Sequence, residues 1–281
     1  MSRIAGRFAE LKAVGRKAFV PFLSAGDPDF ETSFAILEKL PGAGADLIEL
    51  GMPFSDPMAD GPAVQASSLR ALKSGADMGR TLELVKKFRK TDAKTPIILM
   101  GYFNPIHAYG AARFTRDAAA AGADGLIVVD LPPEEDDVLR LPAQAQGLDI
   151  IRLATPTSDA ARLTTILDGA SGFLYYVSIT GVTGTKNFDS TSVSAAVGRI
   201  RQATSLPVAV GFGVKTPEHA AQIAKIADAV VVGSAIVSHI AEKMDAPRAE
   251  LIASVVELCR GLAASTHNAS SGAAQGDKVR A

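Results

Sequence analysis

Glu49 is the residue of this sequence that most suggests chemistry, because it stands inside the apolar run Leu47-Ile48-Glu49-Leu50. Strand alternation puts it on one face with Leu47, opposite Ile48 and Leu50. If that strand is covered, the carboxyl loses water and its pKa rises, which suits proton transfer near neutral pH. A buried glutamate paired with an arginine or lysine satisfies the same pattern. Asp60 follows eleven positions later, at the end of a loop punctuated by proline and glycine that can bring it back beside Glu49. Two carboxylates in different environments divide acid and base work. Asp60-Gly61-Pro62 also reads as a helix start, with Asp60 or Gly61 near the cap and Pro62 in the first turn. Asp56-Pro57 and Asp27-Pro28 read as turns.

Glycine supplies the second constellation. Three late apolar runs end in Gly181-Val182-Thr183-Gly184, in Gly211-Phe212-Gly213 and in Gly233-Ser234, the last opening a short helix. Backbone N–H groups in such turns and at a helix N-terminus bind phosphate without a positive side chain. Glycine turns are also ordinary loop punctuation, but three at consecutive strand ends point to a phosphorylated substrate. Other chemistries lack their residues. No apolar run carries a lysine for an imine, since Lys186 and Lys215 fall in loops. His107, His219, His239 and His267 are scattered without metal-binding spacing, and the single Cys259 sits in the helical pattern of residues 251–262. No metal site is expected.

These residues need a frame. Eight apolar runs recur, at 18–23, 47–50, 97–102, 125–129, 150–153, 173–178, 208–211 and 229–232. Their near-continuous hydrophobicity suits parallel strands covered on both faces. The segments 31–40, 63–73, 109–121, 158–167, 193–203 and 217–226 carry apolar residues at helical spacing. Eight strands alternating with helices, with no linker-like break, predict a (β/α)8 TIM barrel over residues 1–263. A doubly wound open sheet is the alternative, though no G-x-G-x-x-G follows an early strand. In a barrel the site lies where strands end and βα loops begin, and both constellations fall there. Gly-Ala-Asp, at 44–46 and 122–124, reads as a helix cap turning into the next strand.

Composition narrows the partners. The 281 residues are 47% hydrophobic with a formal net charge of −1, so the chain buries a core and has no basic excess for nucleic acid. Residues 1–16 mix charge every few positions without an apolar segment, which suggests neither a signal peptide nor a membrane span but a cytoplasmic protein. Residues 264–281, rich in Ser, Ala, Gly and Asn, read as a frayed or disordered tail.

The segment from Leu47 to Pro62, Leu-Ile-Glu-Leu-Gly-Met-Pro-Phe-Ser-Asp-Pro-Met-Ala-Asp-Gly-Pro, resembles the signature of the tryptophan synthase alpha chain family. Support comes from Ala25-Gly26-Asp27-Pro28, from Tyr175-Tyr176-Val177-Ser178 with the glycine turn after it, from Gly211-Phe212-Gly213 and from Gly233-Ser234-Ala235-Ile236-Val237. The resemblance covers roughly residues 7–262. It implies a retro-aldol cleavage of indole-3-glycerol phosphate to indole and glyceraldehyde 3-phosphate, without a cofactor in this chain. Indole would pass to a beta chain carrying pyridoxal phosphate, in an alpha2-beta2 heterotetramer that makes L-tryptophan. Glu49 and Asp60 match the family's catalytic pair. Phe22, Met100 and Tyr175 would form the indole pocket, and Thr183, Gly184, Gly211, Phe212, Gly213, Gly233 and Ser234 would complete the substrate site. Pro53, Phe54, Asp56, Tyr102, Asn104, Asp130 and Pro132 would face the partner, with His107 where a Phe often sits. Residues 179–193 would close as a lid and bring Thr183 beside Asp60. Ile179 departs from the arginine of enteric members.

Overall fold

A computed structural model describes residues 2–178, 190–211 and 213–271. Nine parallel strands form one sheet: β1 (Ala18–Ser24), β2 (Ile48–Gly51), β3 (Ile97–Gly101), β4 (Gly125–Val128), β5 (Asp149–Ile150), β6 (Arg152–Ala154), β7 (Leu174–Val177), β8 (Val208–Gly211) and β9 (Ala229–Val232). Their order is β5-β4-β3-β2-β1-β9-β8-β7-β6. The two ends of that order are consecutive in the chain, separated only by Ile151. β5 pairs with β4 and β6 pairs with β7, so one staggered strand is shared between its two neighbours. Its halves correspond to the single apolar run expected there, and the sheet is a TIM barrel of eight strand positions, not an open sheet.

Alternation assigns each strand residue to a layer. Ala18, Val20, Leu47, Ile98, Ile127, Ile151, Phe173, Tyr175, Ala209, Ala229 and Val231 fill the interior. Phe19, Leu23, Ile48, Leu50, Ile97 and Leu99 point outward beneath the helices. Each fully buried large side chain contributes about 1.5–3 kcal/mol. The N-terminal end of the barrel is stoppered by α1 (Arg3–Ala13), whose Ile4, Phe8 and Leu11 join the interior cluster. Phe8 meets Phe173 at a ring separation of 5.7 Å.

Caps set the helices that follow. Asp29 accepts from the Thr32 N–H at the start of α2 (Phe30–Lys39), and Gly61 and Pro62 open α3 (Pro62–Lys73). α4 (Met78–Phe88) comes next. The helix expected at 109–121 begins at Ala111 as α6 (Ala111–Ala121), because Gly110 takes φ 92° and separates it from Tyr109, the last residue of α5 (Phe103–Tyr109). α7 (Asp137–Ala145), α8 (Ala160–Leu167), α9 (Ser190–Ala203), α10 (Pro217–Ala224), α11 (Ser234–Glu242) and α12 (Arg248–Ser271) complete the shell.

The C-terminal expectation needs correction. α12 continues through Ser271 instead of fraying at Ala264. Thr266 is buried and donates to the Leu262 carbonyl at 2.9 Å, and the His267 ring bonds Asp46 at 2.8 Å. Gly44 makes room, since a Cβ there would stand 2.6 Å from the Ala263 Cβ. Contacts with a turn more than two hundred residues earlier hold this segment, and they leave no trace in its own periodicity. Residues 272–281 lie outside the described set.

Candidate active site

Strand register gathers the expected residues at the C-terminal mouth. Phe22 on β1 is level with Glu49 on β2, Glu49 with Ile98 on β3, and Gly51 with Met100. Phe22, Glu49 and Met100 share the phase of Val20, Leu47 and Ile98, so all three point inward. Tyr175, in phase with Phe173, does the same from β7. Two glycines shape this chamber. A Cβ on Gly51 would stand 2.7 Å from the Phe22 ring, and one on Gly233 would touch it at 3.4 Å, so that ring lies between the ends of β2 and β9. A Cβ on Gly211 would collide with the Tyr175 hydroxyl.

Glu49 has no arginine or lysine partner among the described residues. It is 2% exposed, and its Oε1 is the only carboxylate oxygen among the described residues that is buried without a hydrogen bond. Burial, with the charge of Asp60 added, pushes its pKa up to about 8. Asp60, at the end of the β2–α3 loop, is raised by burial to about 6, against a lowering hydrogen bond from Tyr102. The Tyr102 hydroxyl donates to Asp60 Oδ2 at 3.1 Å and accepts from the Ala59 N–H at 3.0 Å. Gln65 Nε2 donates to the Asp60 carbonyl at 2.8 Å. Burial raises the Tyr175 phenol well above its ordinary value, reinforced by the nearby carboxylates. At neutral pH the mouth therefore holds a protonated Glu49, an ionised Asp60 and two neutral phenols.

Gly61 and Pro62 start α3, while the Asp60 side chain accepts from Tyr102 and lies close enough to Glu49 for its charge to be felt there. Tyr102 was expected on the partner surface, yet it is 3% exposed and bonded to Asp60. Its place just past β3 is the sequence signal that could have marked it. Of the other residues expected to face a partner, Pro53 and Phe54 are half-buried and Asp56, Asn104, Asp130 and Pro132 are exposed. Phe54 packs on Tyr102 at 5.4 Å, and Asp130 accepts from the Phe103 N–H at 2.7 Å. Those bonds join the loops after β2, β3 and β4 into one surface.

On the opposite rim, Gly213 takes φ 80° after β8, and Gly233 caps α11 with Ser234 in its first turn. Pairing of β8 with β9 sets these two turns side by side. Thr183, Gly184, Phe212 and Ile179, with most of the segment expected as a lid, lie outside the described residues. Among the described residues, no strand carries a lysine. No group of three or more potential metal ligands occurs among the described residues. His239 and His267 make hydrogen bonds to Ser254 and Asp46, and burial pushes the Cys259 thiol up to about 12. Among the described residues, no helix is long and apolar enough to cross a membrane.

Comparison with known proteins agrees with this geometry. The chain is 60% identical over 246 residues to the tryptophan synthase alpha chain of Gluconacetobacter diazotrophicus, covering 88% of this chain and 90% of that one. Among solved structures it is similar to tryptophan synthase subunit alpha from Legionella pneumophila, at TM-score 0.88 and 41% identity over 95% of this chain and 98% of the other. It is also similar to a chain of an aminoacrylate-bound tryptophan synthase from M. tuberculosis, at TM-score 0.83 and 35% identity over 95% and 100% of the two chains. The family model described as tryptophan synthase alpha chain matches residues 8–267. The barrel, the buried carboxylate at its mouth and these likenesses together show that the chain belongs to the tryptophan synthase alpha chain family, the lyases that cleave indole-3-glycerol phosphate to indole and glyceraldehyde 3-phosphate.

Proposed function

We propose that Glu49 and Asp60 carry out this cleavage, Glu49 as the acid and base and Asp60 as the carboxylate that holds the indole nitrogen. The observation that carries the assignment is the buried, unpartnered Glu49 Oε1 beside an aspartate of lower pKa. Protonated Glu49 delivers its proton to indole C3. Positive charge then develops toward the ring nitrogen, and ionised Asp60 stabilises it by accepting the N–H. The Glu49 carboxylate so formed takes the proton of the glycerol hydroxyl next to the ring. That O–H pair becomes the aldehyde carbonyl as the carbon–carbon bond breaks, and its electrons return to the indole. One proton leaves Glu49 and one returns, so the residue is restored in each cycle.

Phe22, Met100 and Tyr175 would enclose the ring, with Gly211 leaving the room that Tyr175 needs. The turns at Gly213 and Gly233-Ser234, joined by Gly184 and Phe212, would bind phosphate through backbone N–H groups, and Thr183 would join Asp60 on lid closure. The reaction as written uses no cofactor. Pro53, Phe54, Asp56, Asn104, Asp130 and Pro132, backed by Tyr102, would receive a beta chain that carries pyridoxal phosphate, in a cytoplasmic alpha2-beta2 assembly. The test is indole release from indole-3-glycerol phosphate, with and without a beta chain. This chain has no tryptophan of its own, so indole fluorescence reports ligand alone. Absence of indole formation in both arms would overturn the assignment. Fast turnover without the beta chain would instead indicate a standalone lyase.

A further inference from the structure

Arg70 touches neither proposed catalytic carboxylate, yet it ties together three segments that the substrate site depends on. Its Nε and Nη2 donate to the two carboxylate oxygens of Asp27, each at 2.8 Å, and Nη2 also donates to the Val237 carbonyl at 3.2 Å. The Asp27 side chain is 1% exposed and that of Arg70 19%. Asp27 belongs to the turn after β1, Arg70 to the helix that follows Asp60, and Val237 to the start of α11. Hydrogen bonds on the same face of α3 lengthen the seam. The Ser24 and Ser67 hydroxyls meet at 2.6 Å, and the Ser74 hydroxyl donates to the Gly26 carbonyl at 2.9 Å.

An ion pair that only stabilised the fold would be complete with the two bonds to Asp27. The third bond reaches the helix whose first turn, Gly233-Ser234, is read above as part of the phosphate cradle. A substrate that bridges Glu49 and Asp60 at one end and that cradle at the other requires a fixed span between them. We propose that Arg70 is a positioning residue that sets this span by locking the first turn of α11 against α3. The planar guanidinium serves Asp27 and Val237 together, which a lysine ammonium on a flexible stem does not reproduce. The inference rests on the phosphate reading of the proposed function.

The test is the full chain carrying Arg70→Lys, titrated with glycerol 3-phosphate as the phosphate probe and with indole as the phosphate-free probe, alongside steady-state kinetics. Glycerol 3-phosphate binding should weaken about tenfold and the KM for indole-3-glycerol phosphate rise about as much, while indole affinity stays within about twofold. Equal weakening of both probes, or no change in either, would overturn the inference. If Arg70→Lys does not fold, the double variant Asp27→Asn with Arg70→Gln keeps a neutral hydrogen-bonded pair, and the same split between probes is expected. A wild-type chain that does not bind glycerol 3-phosphate would refute the phosphate reading itself, and the inference with it.

Discussion

The two ends of the barrel use the same residue type in opposite ways. At the N-terminal end, Asp46, Asp124 and Asp228 each precede a strand and accept the backbone N–H of a neighbouring one, Phe19, Ile97 and Val208 respectively. Each also meets cations: Arg16 for Asp46, Arg3 and Arg89 for Asp124, Lys17 and Arg201 for Asp228. At the C-terminal end, Glu49 has a buried oxygen with no partner, and Asp60 has one hydroxyl donor. Satisfied carboxylates fix strands in place. A poorly satisfied one keeps its proton at neutral pH and has it available for reaction. The contrast is one of supply to particular groups, since cations and backbone donors converge on these three aspartates but, among the described residues, not on the carboxylates of Glu49 and Asp60.

The pH dependence of stability should therefore have opposite signs at the two ends. Glu49 holds its proton to about 8 in the folded chain against 4.5 for the free group, so raising the pH through that window favours unfolding. Asp228 is lowered despite its burial by the Val208 N–H, Lys17 and Arg201, so its contribution disappears as the pH falls through the acid range.

The largest expected effect is chemical. Glu49→Gln should reduce indole release by about a thousandfold and flatten the loss of stability between the two pH values, both read from one set of pH-resolved assays and melts. Retained activity would break the contrast. Asp124→Asn should do the reverse, costing about 3 kcal/mol of stability in denaturant titrations with little change in kcat for the folded fraction. A large fall in kcat without destabilisation would mean that the satisfied rim also serves catalysis. Gly51→Ala forces a Cβ against the Phe22 ring and should raise KM about tenfold, with a shifted ring visible in a crystal structure. The smallest effect concerns the shape of the pH–rate profile. Activity should rise as Asp60 ionises near 6 and fall as Glu49 loses its proton near 8. Tyr102→Phe removes the bond that lowers Asp60 and should move only the acid limb, upward by less than about one pH unit. Movement of the alkaline limb instead would reverse the two assignments.

Much of this was legible in the sequence because strand alternation is a local rule. Glu49 reads as sharing a face with Leu47 from its own run, and Gly44 and Gly122 do cap helices ahead of strands, whereas Phe22, Met100 and Tyr175 followed from the family resemblance and have the inward phase in the structure. What escaped depends on contacts between distant segments. Tyr102 reaches Asp60 from another βα loop, and Asp130 caps α5 across a gap of twenty-seven positions. The helical residues beyond Ala263 are stabilised by Asp46 and by the space at Gly44, neither of which a composition of Ser, Ala and Asn reveals. α1 was hidden differently, because its charged positions drew attention from Ile4, Phe8 and Leu11, spaced to form one buried face.

The stopper formed by α1 also determines the direction of traffic. With Ile4, Phe8 and Leu11 closing one end and layers of aliphatic side chains filling the space above them, the barrel is a blind vessel with no rear exit. Whatever enters at the mouth must leave by the mouth. A small apolar product formed beside Glu49 therefore departs past the rim of that mouth, of which the loops after β2, β3 and β4 form a part. Any passage that carries it to a second protein without release to water must begin at that rim.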